Sequence, residues 1–318
     1  MTRPKIAAAE KRSALMLLGR ESNRDSLGEL LARLSNPGPD EKLEGLLPGW
    51  EQAALKENLE EIRKLALSSA KPDIKNAALA VLLRLGEKAP GTGIAPALWV
   101  KAMPAAGRGK IDPGWHPVVV EMTDAGKPKG TRLLALSAIT LFPAHDSESF
   151  GMLSKIAEES KAKDLQLSFA ALDAMKRIPA SARPEGQSAG GLTRIRISAT
   201  GDLRFDPAEF SVPAGSAVEL TFYNPDNLFH NLVVVQPDAL ERVGLAADMM
   251  AGSPDGAKKD FIPDDPGILH ATPQLTIGSA RSHVLRFFAP EKPGNYPYIC
   301  TYPGHWRAMK GVMKVTAD

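Results

Sequence analysis

The spacing of apolar positions along the chain changes near residue 180. Up to about residue 179 they recur every three or four residues, the helical period, and β-branched runs are scarce. Leu27, Leu30, Leu31 and Leu34 fall on one helical face, and Leu55, Leu59, Ile62, Leu65 and Ala66 on another. Pro and Gly clusters at 36–39, 47–49, 89–96, 104–109 and 112–114 punctuate these stretches and predict the ends of helices. Beyond residue 191 the period becomes two. Ile195, Ile197 and Ala199 alternate with Arg194, Arg196 and Ser198, while Val218, Leu220 and Phe222 alternate with Glu219 and Thr221. The runs 232–235 and 284–288 also read as strands, and turn signals at 213–215, 224–226 and 292–295 separate them. The segment 238–251, with Leu240, Val243, Leu245, Met249 and Met250, predicts a short helix inserted between strands.

These patterns predict a multidomain chain. Residues 1–180 form an all-α domain, 181–191 a linker of small, polar and turn-forming residues, and 192–318 an all-β sandwich. Three helical segments, 71–86, 127–143 and 161–179, share one plan: a polar lead-in containing Lys runs into an Ala/Leu-rich helix that stops at Gly or Pro. The plan resembles HEAT-type repeats, in which helix pairs stack into a solenoid. The aligned leucines lie 57 and then 36 residues apart. With that uneven spacing, an irregular helical domain is the other reading.

Length and composition narrow the functions available. The 318 residues are enough for about two domains, with 43% hydrophobic and 24% charged positions. The 39 Lys and Arg against 37 Asp and Glu leave a net charge of +2, which argues against an electrostatic nucleic-acid binder. Residues 189–318 carry 12 Lys and Arg against 14 Asp and Glu, so neither half calls for a strongly charged partner. No apolar run approaches the roughly 18 residues of a membrane span. The first twenty residues scatter Lys5, Glu10, Lys11 and Arg12 among alanines, and their apolar stretch 14–18 is too short for the core of a signal peptide. The single cysteine, Cys300, excludes an intrachain disulfide, a four-cysteine iron–sulfur cluster, a Cys-x-x-Cys redox pair and attached haem.

That cysteine stands in the segment 298–311, Tyr-Ile-Cys-Thr-Tyr-Pro-Gly-His-Trp-Arg-Ala-Met-Lys-Gly. The spacing Cys-x4-His-x3-Met puts a thiolate, an imidazole and a thioether on one loop, with Pro303-Gly304 supplying the turn. Soft sulfur ligands select copper, and imidazole suits both of its oxidation states. A second imidazole would complete a trigonal plane of two histidines and one cysteine, and His230, at the start of an apolar strand, is well placed. Singly, each residue also fits a structural role, as a small core cysteine, a packed methionine or a satisfied histidine. Their joint occurrence in this order points to metal. Zinc could take the cysteine and two histidines, but gains nothing from the methionine. Met313, in the last predicted strand, reads as core. His116, His145, His270 and His283 lack ligand-like neighbours and read as structural or solvent-facing.

The loop resembles that of azurin and auracyanin, blue copper proteins of the cupredoxin family. Their pattern is Cys-Thr-Phe-Pro-Gly-His, three residues, then Met-Lys-Gly. Tyr302 stands here for the phenylalanine, and the upstream His-Asn pair is matched by His230-Asn231. The resemblance covers roughly residues 192–318 and implies a Greek-key cupredoxin sandwich. It implies one type 1 copper per chain, with His230, Cys300 and His305 as equatorial ligands and Met309 as the long axial one. It further implies that Asn231 ties the His230 strand to the Cys300 loop, that Phe229, Thr301 and Tyr302 stand around the ligands, and that the backbone N–H groups of Asn231 and Tyr302 face the sulfur. Phe229 stands where azurin has glycine, and azurin's disulfide has no counterpart.

The flanks of Cys300 are Ile299 and Thr301, without the histidines that wire a multicopper oxidase or a copper nitrite reductase, and a dinuclear centre would need a second cysteine. The expected function is one-electron transfer, by a protein that is not itself an enzyme but can be part of a larger oxidoreductase, to or from a redox partner such as a c-type cytochrome, a haem domain or a fused or associated dehydrogenase. Copper binding or storage is the alternative. His305 is the expected port for the electron, and Leu228, Phe229, Pro303 and Trp306 the expected apolar docking patch, unless Trp306 packs inward. The helical half reads as a scaffold or spacer. The family resemblance implies a periplasmic setting, with the targeting segment outside this chain.

Overall fold

A computed structural model of the protein describes residues 24–36, 44–50, 52–89, 93–187, 189–276 and 280–317. The apolar stretch 14–18 and turn positions 37–39 and 90–92 lie outside the described residues. The chain divides into two compact units: Met1–Glu158 with Ala174–Ser188, and Glu159–Asp173 with Ala189–Asp318.

The first unit is helical. Helix α1 (Arg24–Ser35) buries the predicted face Leu27, Leu30, Leu31 and Leu34. Helices α2 (Gln52–Glu57) and α3 (Leu59–Ser68) follow, and α3 buries Ile62, Leu65 and Ala66. Helix α4 (Pro72–Arg84) starts with proline at its first position, where no intrahelical N–H is needed. Packed against α3 on one side and α5 (Pro96–Ala106) on another, it buries every residue from Ala77 to Leu83. Helix α5 ends where Pro104 in its last turn and Gly107, at φ 97°, stop the winding. Trp99 of α5 meets Trp115 with ring centroids 5.3 Å apart and planes tilted by 40°, and Trp115 Nε1 donates to Glu87 O at 2.8 Å. Short α6 (His116–Glu121), then α7 (Lys129–Ala138) and α8 (Asp146–Ser160), complete this part of the chain. Arg108 bridges the buried Asp146 and the carbonyl of Thr140. Helix α9 (Leu165–Arg177) and α4 and α7 before it coincide with the three Ala/Leu-rich segments.

The second unit is a sandwich of two sheets. Strands β1 (Leu192–Thr200), β2 (Arg204–Asp206), β4 (Ala217–Tyr223) and β7 (Ser282–Phe288) form one sheet in the order β2-β1-β4-β7. Strands β3 (Glu209–Pro213), β5 (Val233–Val235), β6 (Ile268–Ala271), β8 (Gly294–Ile299) and β9 (Lys310–Thr316) form the other, in the order β3-β9-β8-β5-β6. The pairs β1/β4 and β3/β9 are parallel, and the remaining pairs antiparallel. The inner faces meet in one core that includes Ile197, Val212, Leu220, Phe222, Val234, Phe287, Tyr298 and Met313. Tyr298 donates its hydroxyl to Pro207 O at 2.7 Å, and a Cβ on Gly311 would overlap its ring.

Each sheet is also covered on its outer face. Leu165, Phe169 and Leu172 pack on Leu192, Ala217 and Phe288 of the first sheet. On the second sheet the inserted helix α10 (Leu240–Met249) lays Leu240 and Val243 against Val233, Val235 and Ile299. Strand β5 is therefore apolar throughout rather than alternating, because Val234 faces the inner core while Val233 and Val235 face α10.

Candidate metal centre

Two strand ends and one loop make the centre. His230 precedes β5 and is fixed by a two-way bridge to Leu275, donating at 3.2 Å and accepting at 2.8 Å. Cys300 follows β8 directly. The chain then turns at Gly304, in the left-handed region at φ 84°, enters a single 3-10 turn at His305–Arg307 and returns through Met309 to β9. Cys300 N donates to Met309 O at 3.1 Å and Met309 N to His305 O at 2.8 Å, so the loop is braced internally.

The donors converge. Cys300 Sγ lies 3.8 Å from His230 Nδ1 and 3.6 Å from His305 Nδ1. Bonds of roughly 2.0 Å to nitrogen and 2.3 Å to sulfur, meeting at a trigonal angle, leave about 3.7 Å between donor atoms. The spacing therefore fits one metal ion among the three. His230, Cys300 and Met309 are fully buried and His305 is half-buried, which leaves one imidazole edge toward solvent. Met309 shares the inner core with Cys300.

The same burial sets the protonation of the ligands. It pushes the Cys300 thiol up to about 11, against the opposing pull of the backbone N–H groups of Asn231 and Tyr302. It also lowers His230 and His305 from the ordinary imidazole value, opposed in each by Asp226. For His305 the neighbouring His230 adds to the lowering. Burial thus favours the neutral, lone-pair-donating form of both imidazoles, while the thiol must give up its proton to a metal.

Surrounding polar groups hold these ligands in place. Asn231 accepts from Thr301 N at 2.7 Å and donates to Thr301 Oγ1 at 2.7 Å and Asp260 O at 2.8 Å. Buried Asn224 donates to Leu228 O and Leu275 O, at 2.8 and 2.7 Å, and so shapes the turn before His230. Asp226 Oδ2 stands 3.5 Å from His230 Nε2, the nitrogen turned away from the sulfur. A carboxylate there favours the tautomer that leaves Nδ1 for the metal. Tyr302 lies 4.7 Å from the His305 ring and near-parallel to Phe229 at 6.4 Å.

Residues 194–316 match the family of copper-binding proteins described as plastocyanin/azurin. Auracyanin-A of Chloroflexus aurantiacus is 34% identical over 130 residues, which span 40% of this chain and 77% of that protein. The chain belongs to the plastocyanin/azurin family. Copper is the cofactor of this cupredoxin, and the donor set fits it. Auracyanin-B of the same organism is 37% identical over 128 residues, 38% of this chain, and the cupredoxin spans about half of that relative's length, 52%. The solved structure of dithionite-reduced auracyanin from the photosynthetic bacterium Roseiflexus castenholzii is 38% identical. It aligns with TM-score 0.34 over 40% of this chain and 99% of that one.

All four expected ligand residues of the cupredoxin lie around the loop, as do Phe229, Asn231, Thr301 and Tyr302. The expected docking residues divide. Leu228 and Phe229 are exposed, at 49% and 47%, and Pro303 is partly so. Trp306 is only 8% exposed, because its indole lies on α10 at Gly244, where a Cβ would come within 2.3 Å of the ring. The sequence marks Asn224 and Asp226 only as part of a turn, and it does not mark Asp248 of α10 at all. The first two carry a local signal, an Asn-Pro-Asp turn shortly before a histidine. Asp248 carries none, since its partners are 56 to 59 residues away.

A second group, His116, His145 and Glu148, also brings metal-ligating atoms together. The two rings stack at 3.8 Å with planes 10° apart, and His145 Nδ1 lies 3.3 Å from Glu148 Oε2. His116 Nε2 lies 3.5 Å from Ser149 Oγ.

Proposed function

We propose that residues 192–318 act as a one-electron carrier whose single copper would be held by His230, Cys300, His305 and Met309. The observation that supports this reading most is the approach of one buried thiol to two imidazoles at 3.6 and 3.8 Å. Copper in such a site supplies exchange of one electron between Cu(II) and Cu(I). The chain's own residues supply the rest. Leu232, Leu275 and Met313, in the same core as Cys300, exclude water from the sulfur. Asn231 and Thr301 lock the root of the loop, and Asp226 fixes the His230 tautomer. The exposed edge of His305, beside Leu228, Phe229 and Pro303, is the contact for a redox partner, a c-type cytochrome or haem domain outside the cytoplasm. In this reading residues 1–180 form a HEAT-like scaffold and 181–191 a linker.

The optical spectrum of the copper-loaded chain tests it. An intense thiolate-to-copper band in the visible is expected, and it is expected to vanish in Cys300→Ala. A colourless Cu(II) adduct overturns the reading. A coloured protein that exchanges no electrons with a c-type cytochrome or an electrode leaves copper holding as the function.

A further inference from the structure

Helix α10 reaches the ligand loop with one carboxylate. Asp248 Oδ1 accepts from Gly304 N at 2.7 Å, and Oδ2 accepts from Trp306 Nε1 at 3.0 Å and from an Arg307 guanidinium nitrogen at 2.7 Å. These three donors bracket His305 in sequence, one before it and two after. Arg307 also lies over the Trp306 ring at 4.4 Å, so the carboxylate, the indole and the guanidinium form one closed group. The indole itself sits directly on the backbone of α10, in the space left by Gly244. Next along the chain, Met309 N donates to His305 O.

We propose that Asp248 is a positioning residue for the metal centre, holding the 304–307 turn against α10 and thereby fixing where the His305 imidazole stands. His305 is the ligand that needs such a device. His230 and Cys300 sit at the ends of paired strands, inside the core, whereas His305 is half-buried on a single 3-10 turn. Without the carboxylate, Gly304 N and the indole N–H lose their acceptor, and the turn keeps only its own short bonds and the packing of the indole on α10. Charge-assisted bonds of this kind are roughly twice as strong as neutral ones, and three of them converge here.

This inference rests on the copper reading above, but one arm of its test does not. In the metal-free full-length chain, hydrogen exchange at Gly304 N and Trp306 Nε1 is expected to rise about tenfold or more in Asp248→Ala, with Thr301 N, bonded to Asn231, left protected. In the copper-loaded chain the same variant is expected to release copper to a chelator about tenfold faster, the lower end of what loss of a ligand's supporting partner costs. Its thiolate-to-copper band is expected to shift or broaden. Arg307→Leu, a change at an exposed side chain, keeps the other two bonds and is expected to show a smaller effect in the same direction. Gly244→Ala, which pushes the indole off the helix, tests the same support from the other side. Unchanged exchange at Gly304 and an unchanged spectrum in Asp248→Ala overturn the proposal. So does a uniform rise in exchange that includes Thr301, since that marks a merely structural role. If exchange responds but wild-type protein shows no visible band, the copper reading fails while the support of the turn stands.

Discussion

In the β-rich unit a thiol and two imidazoles meet at 3.6 and 3.8 Å, and in the helical unit two imidazoles and a carboxylate lie similarly close. The groups differ in how their lone pairs are aimed. The His230 and His305 rings are inclined by 42° with centroids 5.1 Å apart, and both present Nδ1 to the sulfur. The His116 and His145 rings are stacked almost parallel, so their in-plane lone pairs run side by side instead of converging. What separates a metal centre from a packed histidine pair is thus direction rather than proximity, and direction is set by the backbone that carries each ring. A strand end and a tight loop opposite one another can point inward at a common spot. Neighbouring turns of helical chain laid one on another stack their rings.

Substitutions can break this contrast. Cys300→Ser is expected to have the largest effect, abolishing the visible band and weakening copper binding at least a hundredfold in competition with a chelator, because it removes the soft ligand. In the same assay His116→Ala is expected to leave stoichiometry at one copper per chain, and loss of copper in that variant would show that both groups hold metal.

The supports around each group are unequal as well. Asn231→Ala removes three hydrogen bonds, two of them buried, and strands Thr301 N, at an expected cost of about 2–4 kcal/mol in chemical denaturation of the metal-free protein. Ser149→Ala removes one long contact to His116, for which at most about 1 kcal/mol is expected. A cost at Ser149 equal to that at Asn231 would mean that the helical group is as tightly specified as the copper site.

His270 gives a third point of reference, a lone histidine stacked on Phe287 at 4.2 Å. Burial lowers it to about 4. Below pH 6.5 the unfolded chain binds a proton there that the folded chain refuses, so stability is full above that pH and falls as pH drops toward about 4. A loss of up to about 3 kcal/mol is expected across this window. His270→Gln should flatten that part of the pH–stability curve of the metal-free protein, and an unchanged slope would assign the acid sensitivity elsewhere. A small effect is expected from His145→Ala, about 1 kcal/mol or less, since that side chain is about one-third exposed, at 34%, and its carboxylate neighbour is largely so.

Local features of the fold were legible in the sequence. The alternation at Ile197 and Ala199 or at Leu220 and Phe222 reports a sheet with one face in the core, and these residues are buried. The ligand loop could be read because three donors fall within ten consecutive residues, and His230 because a histidine opens an apolar run. Nonlocal features were not. Nothing in β1 announces a parallel partnership with β4, and the pairing of β3 with β9 joins segments about a hundred residues apart. The continuous run Leu232–Val235 marked a strand without revealing that α10 covers its second face. For Trp306 the sequence leaves two places open, the docking rim and the interior. The indole is buried because Gly244, 62 positions earlier, lacks a side chain.

The bond from Cys300 N to Met309 O has a consequence for how the protein acquires its metal. It closes the ligand loop at its base, where β8 and β9 begin to pair, so thiol and thioether are held together before any ion arrives. Loading then requires little ordering of the chain.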